Sequence, residues 1–534
     1  MNTISKRILF SLLLSFFSSA TIAQLLPLHN AYNNEMYSVY ATSDSVRSTS
    51  VKPMLLQNHP ALVSAIANGF ILNKWDTVKQ KYKNWGQKLI NNHLFEVHDK
   101  DVHLFLDPII SYSGGKATDL NKMTYVSTRG FNAYGLVGKK VQFNLAFFEN
   151  QARFPIYLDT FIFKNDRVVP GQGRSRKFKG TAFDFARTDA SISYVPSERF
   201  DMVLGYGKNF IGDGYRSLLL SDNAFNYPYL RLHAKFWKIN YTVLYNQYAN
   251  PKVEINDNFQ RKFSTIHYFT LDISKKFQIG IFESIMWQGN DTTSTRGFDL
   301  QYLNPVLFLR PVEFSLGSTD NAMLGLNFKY QLSKNSFAYS QFVLDDINLQ
   351  QTFKNKKQHL NNKYGIQLGF WTKDILKLKG LNYRLEYNTV RPFTYGHRKI
   401  NQNYTHYSQA LAHPLGANFH EVINNFQFRK KRWYAELHSV FAIVGEDFNG
   451  NLFGNNLWGG EAGVPELGIK TLDGLNTKVG YNQVTIGWTI NKEWNTNIQA
   501  QVGNRFRKND VKSTSETFFS FGIVTNLSNY YYDF

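Results

Sequence analysis

Apolar and polar residues alternate one by one along most of the chain from about residue 97 onward. Val141, Phe143 and Leu145, for example, enclose the polar residues Gln142 and Asn144. Successive side chains of a β-strand point to opposite faces, so a two-residue period predicts strands with one apolar and one polar face. A transmembrane barrel needs such strands, because lipid lies on one side and a wet lumen on the other.

Short basic turns join the alternating stretches into hairpins. Such turns occur at Lys275-Lys276, at residues 333–336 and 429–432, and at Asn491-Lys492. Longer polar stretches separate other pairs: residues 163–180, 250–264, 288–296, 350–363, 396–417 and 447–482. Outer-membrane barrels have short periplasmic turns and long extracellular loops. The sequence therefore predicts an all-β fold, a transmembrane antiparallel β-barrel of the outer membrane with about sixteen to eighteen strands, over residues 97–534.

The aromatic content strengthens this prediction. The chain contains 45 Phe, 31 Tyr and 9 Trp, 16% of its residues, although its mean hydropathy is negative at -0.35. Transmembrane barrels carry aromatic girdles at both membrane interfaces while keeping a polar lumen. A soluble β-sandwich would share the alternation, but it would expose these aromatic faces to water.

A secretory signal precedes this pattern. Lys6 and Arg7 are followed by an apolar stretch over residues 8–17 and by small residues up to Ala23. A basic start, a short apolar core and small residues before the cleavage point predict a signal peptide over residues 1–23. The chain is therefore expected to be exported.

Residues 24–96 are predicted to be helical rather than strand-forming. Between residues 58 and 92, apolar side chains such as Leu62, Ile66 and Phe70 recur every three to four positions. This spacing is the period of an amphipathic helix. We expect two or three short helices that form a periplasmic cap or a plug against the barrel mouth.

The end of the chain allows two interpretations. Phe519 and Phe521 occupy odd positions, whereas Tyr532 and Phe534 occupy even ones. Either a bulge near residues 528–529 shifts the last strand, or the strand ends there.

The chain is strongly basic and contains no cysteine. Its formal net charge is +20. For an exported chain, this charge indicates anionic partners at the membrane rather than nucleic acid: lipopolysaccharide phosphates, the lipid headgroup zone or acidic polysaccharide. The lack of cysteine excludes disulfides, iron–sulfur clusters and cysteine nucleophiles.

No catalytic or metal-binding pattern stands out, and no cofactor is expected. His420-Glu421 is not followed by the second histidine of an HExxH zinc site, and no GxSxG nucleophile elbow is present. His397, His406 and His413 are spaced too widely to indicate one metal site. The sequence therefore favours a non-enzymatic protein.

The stretch from Gly205 to Leu232 differs from the alternating pattern. Four glycines among its first ten residues allow tight turns and close backbone approaches. They do not have the spacing of a P-loop or a dinucleotide-binding loop. Polar residues then surround the apolar run Leu218-Leu219-Leu220, and the aromatic residues Tyr227 and Tyr229 follow.

Part of this stretch, GKNFIGDGYRSLLLSDNAFNYPYLR at residues 207–231, resembles a known signature. It is similar to the RemB family of gliding-motility proteins of Bacteroidetes and, more distantly, to the Wzi family of capsule-assembly outer-membrane proteins. Two later segments extend the resemblance: LRPVEFSLGSTDNAMLGLN at residues 309–327 and NYTHYSQALAHPLGANFHE at residues 403–421.

The resemblance implies an outer-membrane barrel with a helical piece on the periplasmic side. It also implies a role at the cell surface, either in gliding motility and adhesion or in the attachment and assembly of surface polysaccharide. The implied partners are outer-membrane lipid and lipopolysaccharide, surface polysaccharide, and proteins of the gliding or secretion machinery.

The three segments and their flanks contain the residue types that bind sugars. Aromatic rings cover the apolar faces of sugars, and planar polar side chains bond their hydroxyl groups. The residues predicted to bind polysaccharide are Arg216, Asp222, Asn223, Tyr227, Tyr229, Arg310, Glu313, Asp320, Asn321, Tyr395, Tyr404, His406, Tyr407 and Asn418. The same residue types form networks that hold loops inside a barrel lumen, so a structural role is the competing interpretation.

The sequence thus favours a non-enzymatic outer-membrane barrel with loops at the cell surface. The alternative is an outer-membrane channel for anionic solutes, which the positive charge would suit. A third possibility, an outer-membrane hydrolase, would require a paired nucleophile and base that the sequence does not display.

Overall fold

Eighteen strands and two α-helices form the framework of the described part of the protein in a computed structural model. The structure describes residues 25–42, 48–55, 86, 89–90, 92–255, 258–289, 296–305, 320–346 and 359–534. In chain order, the barrel strands are β1 (Val102–Ala117), β2 (Thr124–Val137), β3 (Val141–Arg153), β4 (Ala182–Ser197), β5 (Phe200–Gly207), β6 (Tyr227–Phe236), β7 (Ile239–Ile255), β8 (Asn258–Asp272), β9 (Phe277–Gln288), β10 (Asn321–Ser333), β11 (Ser336–Asp346), β12 (Lys363–Thr372), β13 (Leu381–Val390), β14 (Phe419–Lys430), β15 (Trp433–Glu446), β16 (Leu475–Asn491), β17 (Thr496–Lys508) and β18 (Ser513–Thr525). Helix α1 (Asn30–Thr42) precedes the barrel, and helix α2 (Ile156–Lys164) follows β3.

The strands form one closed antiparallel sheet. Each barrel strand pairs with the next, and β18 pairs with β1, with Phe518 opposite Ala117 and Ile523 opposite Tyr112. Closure leaves the sheet without a free edge. The predicted all-β antiparallel barrel is confirmed, and its eighteen strands fall within the predicted range.

The alternation separates an apolar outer surface from the lumen. In β5, Val203 is fully buried, whereas its neighbour Leu204 is 61% exposed. Further large apolar side chains on the outside are Ile192, Leu368, Ile486, Val502 and Phe521. A continuous apolar surface of this kind is stable only against lipid. The protein is therefore an outer-membrane β-barrel.

Among the described residues, no helix combines the length and the apolar character needed to cross a bilayer.

The connections between strands differ at the two ends of the barrel. At one end, turns as short as residues 198–199 and 237–238 join the strands; we call it the short-turn end. At the other, the long-loop end, connections such as residues 154–181 and 447–474 are much longer. By the general architecture of outer-membrane barrels, the short-turn end faces the periplasm.

Two of the predicted extracellular loops are wrong, and one of them, residues 396–417, belongs to a segment that packs inside the lumen. Residues 250–264 were expected to be an extracellular loop, but β7 and β8 extend through most of them. The two strands stay hydrogen-bonded there, with a register shift between Asn250 and Glu254. Other parts of the chain cover both faces of β8 there, because Phe263 packs with Trp287 and Tyr302 while the ammonium group of Lys262 donates to the backbone oxygen of Asn403 at 2.9 Å. The alternating pattern is therefore lost although the ladder continues.

Helix α1 lies inside the barrel at its short-turn end. The ring of Tyr37 packs against Phe337 and Trp371 of the wall, with centroid distances of 5.3 and 5.9 Å. The indole nitrogen of Trp371 also donates a hydrogen bond to Asn34 at 3.2 Å. The helices predicted over residues 58–92 lie outside the described residues except at a few positions, and the signal peptide lies wholly outside them. The division of the first 96 residues therefore stays a prediction.

The last strand ends before the end of the chain. Strand β18 stops at Thr525, and residues 526–534 turn into the lumen instead of continuing the sheet. There, the backbone nitrogen of Asn529 donates to the carbonyl oxygen of Leu28 at 2.9 Å. Of the two interpretations of the chain end, the one in which the strand ends is therefore right.

Candidate functional site

Within the part of the chain that the structure describes, four segments fill the lumen. They are the N-terminal segment (residues 25–42 and 48–55), the signature loop (208–226), the inner loop (391–418) and the tail (526–534). A hydrophobic cluster that includes Leu218, Leu219, Leu220, Leu411 and Tyr395, all fully buried, packs the signature loop against the inner loop. A barrel of this strand number would otherwise enclose an aqueous channel.

The signature loop also pairs with the N-terminal segment. The short strand Val51–Lys52 lies antiparallel to Phe210–Ile211. The ammonium group of Lys52 donates to the carbonyl oxygen of Gly212 at 2.6 Å and to the Tyr37 hydroxyl at 2.8 Å. Burial lowers the pKa of Lys52 to about 7.

Asp213 joins the same two segments to the barrel wall. Its carboxylate accepts hydrogen bonds from Thr49 and from Ser50, the latter at 2.8 Å, and it lies 3.4 Å from the ammonium group of Lys329. Burial alone would raise the pKa of Asp213, but the nearby charges of Lys329 and Lys52 outweigh that effect and lower it. The carboxylate is therefore held charged and fully paired in the lumen.

Two glycines permit the turn that carries these groups. Gly212 has a φ of 149°, which lies in the region that L side chains rarely adopt. A Cβ atom on Gly214 would lie 2.5 Å from the backbone oxygen of Arg216 and 2.6 Å from a carboxylate oxygen of Glu386. No side chain fits at that position without displacement of its neighbours.

Arg216 is the centre of the lumenal network. Its guanidinium lies 3.2 Å from Glu421 of strand β14 and 3.0 Å from Asp533 of the tail, and its side chain is only 1% exposed. Its backbone nitrogen donates to Glu386 of strand β13 at 3.1 Å. The rings of Tyr215 and Tyr531 lie 5.0 Å from the guanidinium carbon. A buried arginine with two carboxylate partners rigidly connects the signature loop, the wall and the tail.

The tail runs along the lumen toward the long-loop end. The Tyr531 hydroxyl donates to Asp222 at 2.6 Å, and the Asn529 amide donates to the same carboxylate at 3.1 Å. Further along, the ring of Phe534 packs against Phe161 of helix α2 at 4.6 Å. The tail therefore contacts the N-terminal segment, the signature loop and α2 in succession.

The structure brings several predicted polysaccharide-binding residues together. Tyr227 packs edge-on against Tyr229 and His406, at 6.2 and 5.7 Å. The ring nitrogens of His406 lie 3.0 Å from the backbone nitrogen of Ala249 and 3.0 Å from the backbone oxygen of Asn226. Tyr227, Tyr229 and His406 are all buried.

The inner loop holds three more of these residues. The Tyr395 hydroxyl donates to the backbone oxygen of Leu218 at 2.8 Å, and its ring stacks with that of Tyr404 at 6.1 Å. Tyr407 packs against Phe225 at 4.9 Å.

Other predicted residues fix backbone turns. The Asn223 amide donates to the backbone oxygen of Ala410 at 3.0 Å. The Asn418 amide donates to the carbonyl oxygens of Gly445 and Asp473 at 2.7 and 2.9 Å, while Asn418 itself adopts a φ of 58°.

Asp320 and Asn321 lie apart from Arg216, near the inner loop. Asp320 accepts a hydrogen bond from the Tyr302 hydroxyl at 2.7 Å and pairs with Arg296 at 2.9 Å. The Asn321 amide donates to the backbone oxygen of Gln402 at 2.8 Å. Arg310 and Glu313 lie outside the described residues.

These contacts fit the structural role that the sequence left open, because the described members of the set bond or pack within the chain. Polysaccharide binding by them stays a prediction.

Sequence reasoning missed the acidic partners of Arg216. Glu421 drew attention as part of an incomplete zinc motif and as the end of one resemblance segment, but not as a partner of Arg216, and Asp533 lies in a segment whose structure was left open. Glu386 lies on an ordinary alternating strand. The one available signal was the alternation along the strands. It places the carboxylates of Glu386 and Glu421 on the polar face of the sheet, and that of Asp533 on a segment with no apolar face. Within the described ranges, no group of three or more His, Asp or Glu side chains is placed to hold a metal ion.

A cavity of about 650 Å³ remains beside the tail. Lys373, Lys431 and Lys492 line it at the short-turn end, and Phe154 and Gln172 line it toward the long-loop end. The cavity is therefore a long space between the tail and the wall of the barrel.

No protein-family profile and no curated protein sequence matches this chain. Among solved structures, the chain is similar to OprD of Pseudomonas aeruginosa, with 11% identity and a TM-score of 0.41 over 79% of this chain and 94% of that one. It is also similar to OccAB2 of Acinetobacter baumannii (10% identity, TM-score 0.42, 79% and 96% coverage) and to OpdK of P. aeruginosa, solved with vanillate (6% identity, TM-score 0.44, 79% and 98% coverage).

Proposed function

We propose that this protein is a non-enzymatic outer-membrane scaffold whose lumen is closed by its own chain and whose loops act at the cell surface. The observation that carries the proposal is the buried Arg216 network. It ties the signature loop and the tail to wall residues Glu421 and Glu386 in the middle of the lumen. A solute path would have to break these contacts.

Hydrogen bonds between the barrel wall and the signature loop also support a permanently filled lumen. The side-chain amide of Gln341 donates to the backbone oxygen of Ile211 in the signature loop at 3.1 Å and accepts from the backbone nitrogen of Leu218 at 2.8 Å. Gln367 donates to the backbone oxygen of Arg216 at 3.1 Å. Breaking such buried pairs leaves polar groups unsatisfied, which costs about 1–3 kcal/mol for each group.

The sequence resemblance supports a role in gliding motility and adhesion, or in the attachment and assembly of surface polysaccharide. Outer-membrane lipid and lipopolysaccharide would surround the barrel, and surface polysaccharide or proteins of the gliding or secretion machinery would contact its loops. Deleting the gene and measuring retained surface polysaccharide and spreading on agar would discriminate between the two roles. A strain normal in both assays would contradict the proposal.

An anion channel is the second candidate. The cavity and the cations Lys373, Arg429, Lys431 and Lys492 at its short-turn end favour it. Positive charge at this end would concentrate anions at the periplasmic mouth.

Conductance across a planar bilayer distinguishes the two candidates. We expect the intact protein to show no steady conductance, because the lumenal segments block the path. The comparison variant lacks residues 25–55 and 527–534 and carries short Gly-Ser linkers in place of residues 209–225 and 392–417, so that none of the four lumenal segments remains; it should conduct if it inserts. Heat-dependent migration in gel electrophoresis reports whether each sample is folded. A steady, anion-selective current through the intact protein would reject the scaffold and support the channel.

A further inference from the structure

Residues 296–305, in the long connection between β9 and β10, pack against the barrel wall; we call them the outer strap. The Tyr245 hydroxyl of β7 donates to the backbone oxygen of Leu303 at 2.9 Å. The Thr265 hydroxyl of β8 donates to the backbone oxygen of Tyr302, also at 2.9 Å. Two neighbouring strands therefore hold the backbone of the outer strap.

The wall residues that hold the outer strap point away from the lumen. Residues next to them in the chain belong to the hydrophobic cluster that fills the lumen: Leu244, Ile266 and Met286. Successive side chains of a strand point to opposite faces, so Tyr245, Thr265 and Trp287 lie on the outer face of the sheet. The outer strap therefore covers the outside of the barrel wall.

Two leucines of the outer strap face away from the wall. Residues Leu300–Leu303 form a single 3-10 turn, in which side chains three positions apart lie on the same side. Leu300 is 75% exposed and Leu303 is 41% exposed, whereas Tyr302 in the same turn is fully buried. The turn therefore packs its tyrosine against the wall and presents both leucines outward.

Ion pairs and ring contacts fix the outer strap in this orientation. Arg296 pairs with Asp299 at 3.0 Å and with Asp320, next to the start of β10, at 2.9 Å. The Tyr302 hydroxyl donates to Asp320 at 2.7 Å, and its ring lies 4.5 Å from that of Trp287. The outward position of the two leucines is therefore a built feature of the turn.

The outer strap lies at the upper edge of the apolar outer surface. Toward the short-turn end, Leu324 of β10 is 39% exposed on the outer face, two residues from Ala322, which packs against the strap cluster. Toward the long-loop end, Arg261 of β8 is exposed on the same face, two residues beyond Phe263. The strap cluster itself contains four aromatic rings. Outer-membrane barrels carry such aromatic girdles where the acyl chains meet the headgroups.

We propose that the outer strap is a lipid contact, in which Leu300 and Leu303 insert between the acyl chains of the outer leaflet just below the headgroups. Continuity with the apolar outer surface favours lipid as the occupant, because Leu324 presents apolar surface beside the strap. The contact would hold the connection between β9 and β10 against the membrane. It goes beyond the scaffold function and does not depend on whether the lumen is closed.

Fluorescent labels at single cysteines test this contact, because the chain contains no cysteine. The variants Leu300→Cys and Leu303→Cys would carry the fluorophore NBD in the full-length protein, inserted into phosphatidylcholine vesicles that contain nitroxide-labelled lipid. A nitroxide near the headgroups should quench both labels at least about twofold, and more strongly than a nitroxide deep in the acyl chains.

Two reference positions calibrate the depth. Leu368→Cys, midway along β12 on the outer face, should be quenched more strongly by the deep nitroxide. Asp510→Cys, exposed in the turn between β17 and β18 at the long-loop end, should be quenched by neither. Labels at positions 300 and 303 that behave like the label at 510 would overturn the proposal. A disulfide between two copies through unlabelled Leu300→Cys, without lipid quenching of the labelled form, would assign the face to a second copy and also overturn it.

Removing both leucines tests whether the lipid contact holds the outer strap in place. In the double variant Leu300→Ser, Leu303→Ser, the contacts of Tyr302 and Arg296 stay available, but the outward face becomes polar. Backbone hydrogen exchange of residues 296–305 in vesicles should therefore accelerate at least about fivefold. Val511→Ser removes another exposed apolar side chain at the long-loop end and should leave this exchange unchanged. Exchange at the parent rate in the double variant would contradict the proposal, whatever the conductance of the barrel.

Discussion

Arg216 and Asp533 form an ion pair of 3.0 Å in the middle of the barrel, where their side chains are only 1% and 4% exposed. One residue belongs to the signature loop and the other to the tail, so the pair connects distant parts of the chain across the lumen. Asp533 also accepts hydrogen bonds from the Tyr215 hydroxyl and from His438, at 3.0 and 2.6 Å. The position of the tail therefore depends on a charge that the signature loop supplies.

Arg216→Met should destabilise the protein strongly. It leaves Glu421 and Asp533 buried without their shared cation, and breaking a buried pair in this way typically costs about 3–5 kcal/mol. The free energy of unfolding in urea, measured on protein refolded into lipid vesicles, would report the loss. Arg199→Met, in an exposed short turn, is the matched control and should change it little. Equal stability of the two variants would show that the network does not hold the tail.

Acid should loosen the inner loop through His406. Its neutral ring fits its surroundings, because one nitrogen accepts from the Ala249 backbone and the other donates to the Asn226 backbone oxygen. Burial, together with the positive charges of Lys262 and Lys208, lowers the pKa of His406 to about 3. The unfolded chain then binds more protons between about pH 3 and pH 6.5, so stability falls as pH falls through that window.

Limited proteolysis at pH 7 and pH 4.5 would measure this effect on the inner loop. His406→Gln removes the titrating ring and should reduce the difference between the two pH values. His98→Gln, at a half-exposed position outside the lumen, should keep the full difference. If the parent chain is cleaved equally at both pH values, protonation of His406 does not control the loop.

Gly214→Ala should displace the signature loop. The added Cβ would meet the backbone oxygen of Arg216 and the carboxylate of Glu386, neither of which can retreat without losing a buried contact. Overpacking of this kind costs about 1–3 kcal/mol. Gly114→Ala is the control, because its nearest neighbour, the end of the Met123 side chain, would lie 3.9 Å from the new atom. Thermal unfolding of the two variants should differ by several degrees, and identical midpoints would contradict the tight fit at Gly214.

The barrel could be predicted from the sequence because its strands obey a local rule. Lipid on one side and polar groups on the other impose a period of two, and Val203 beside Leu204 shows the result directly. The hairpin turns are equally local. Where other segments cover both faces of a strand, as at Lys262 and Phe263 of β8, the two faces no longer differ in their surroundings and the signal disappears.

The contents of the lumen could be predicted only in part. Residue types and the resemblance singled out Arg216, Asp222 and Tyr227, but no sequence pattern shows that Asp533 returns to meet Arg216. Such contacts depend on tertiary closure, which brings together segments that are far apart in the chain. The cavity could not be predicted for the same reason. Each strand contributes only one or two of its Asn and Gln residues, and the sequences of these strands show the same alternation as the others.

Leu204→Arg tests whether the outer face of the barrel contacts lipid. Leu204 lies midway along β5 and points outward with 61% of its surface exposed. An arginine facing the bilayer midplane costs about 2–4 kcal/mol, but near the interface the cost falls to about 0–1 kcal/mol. Ser197→Arg, at the short-turn end of β4, should therefore be tolerated. Unfolding free energies in vesicles should separate the two variants, whereas equal effects of both arginines would mean that this surface does not face lipid.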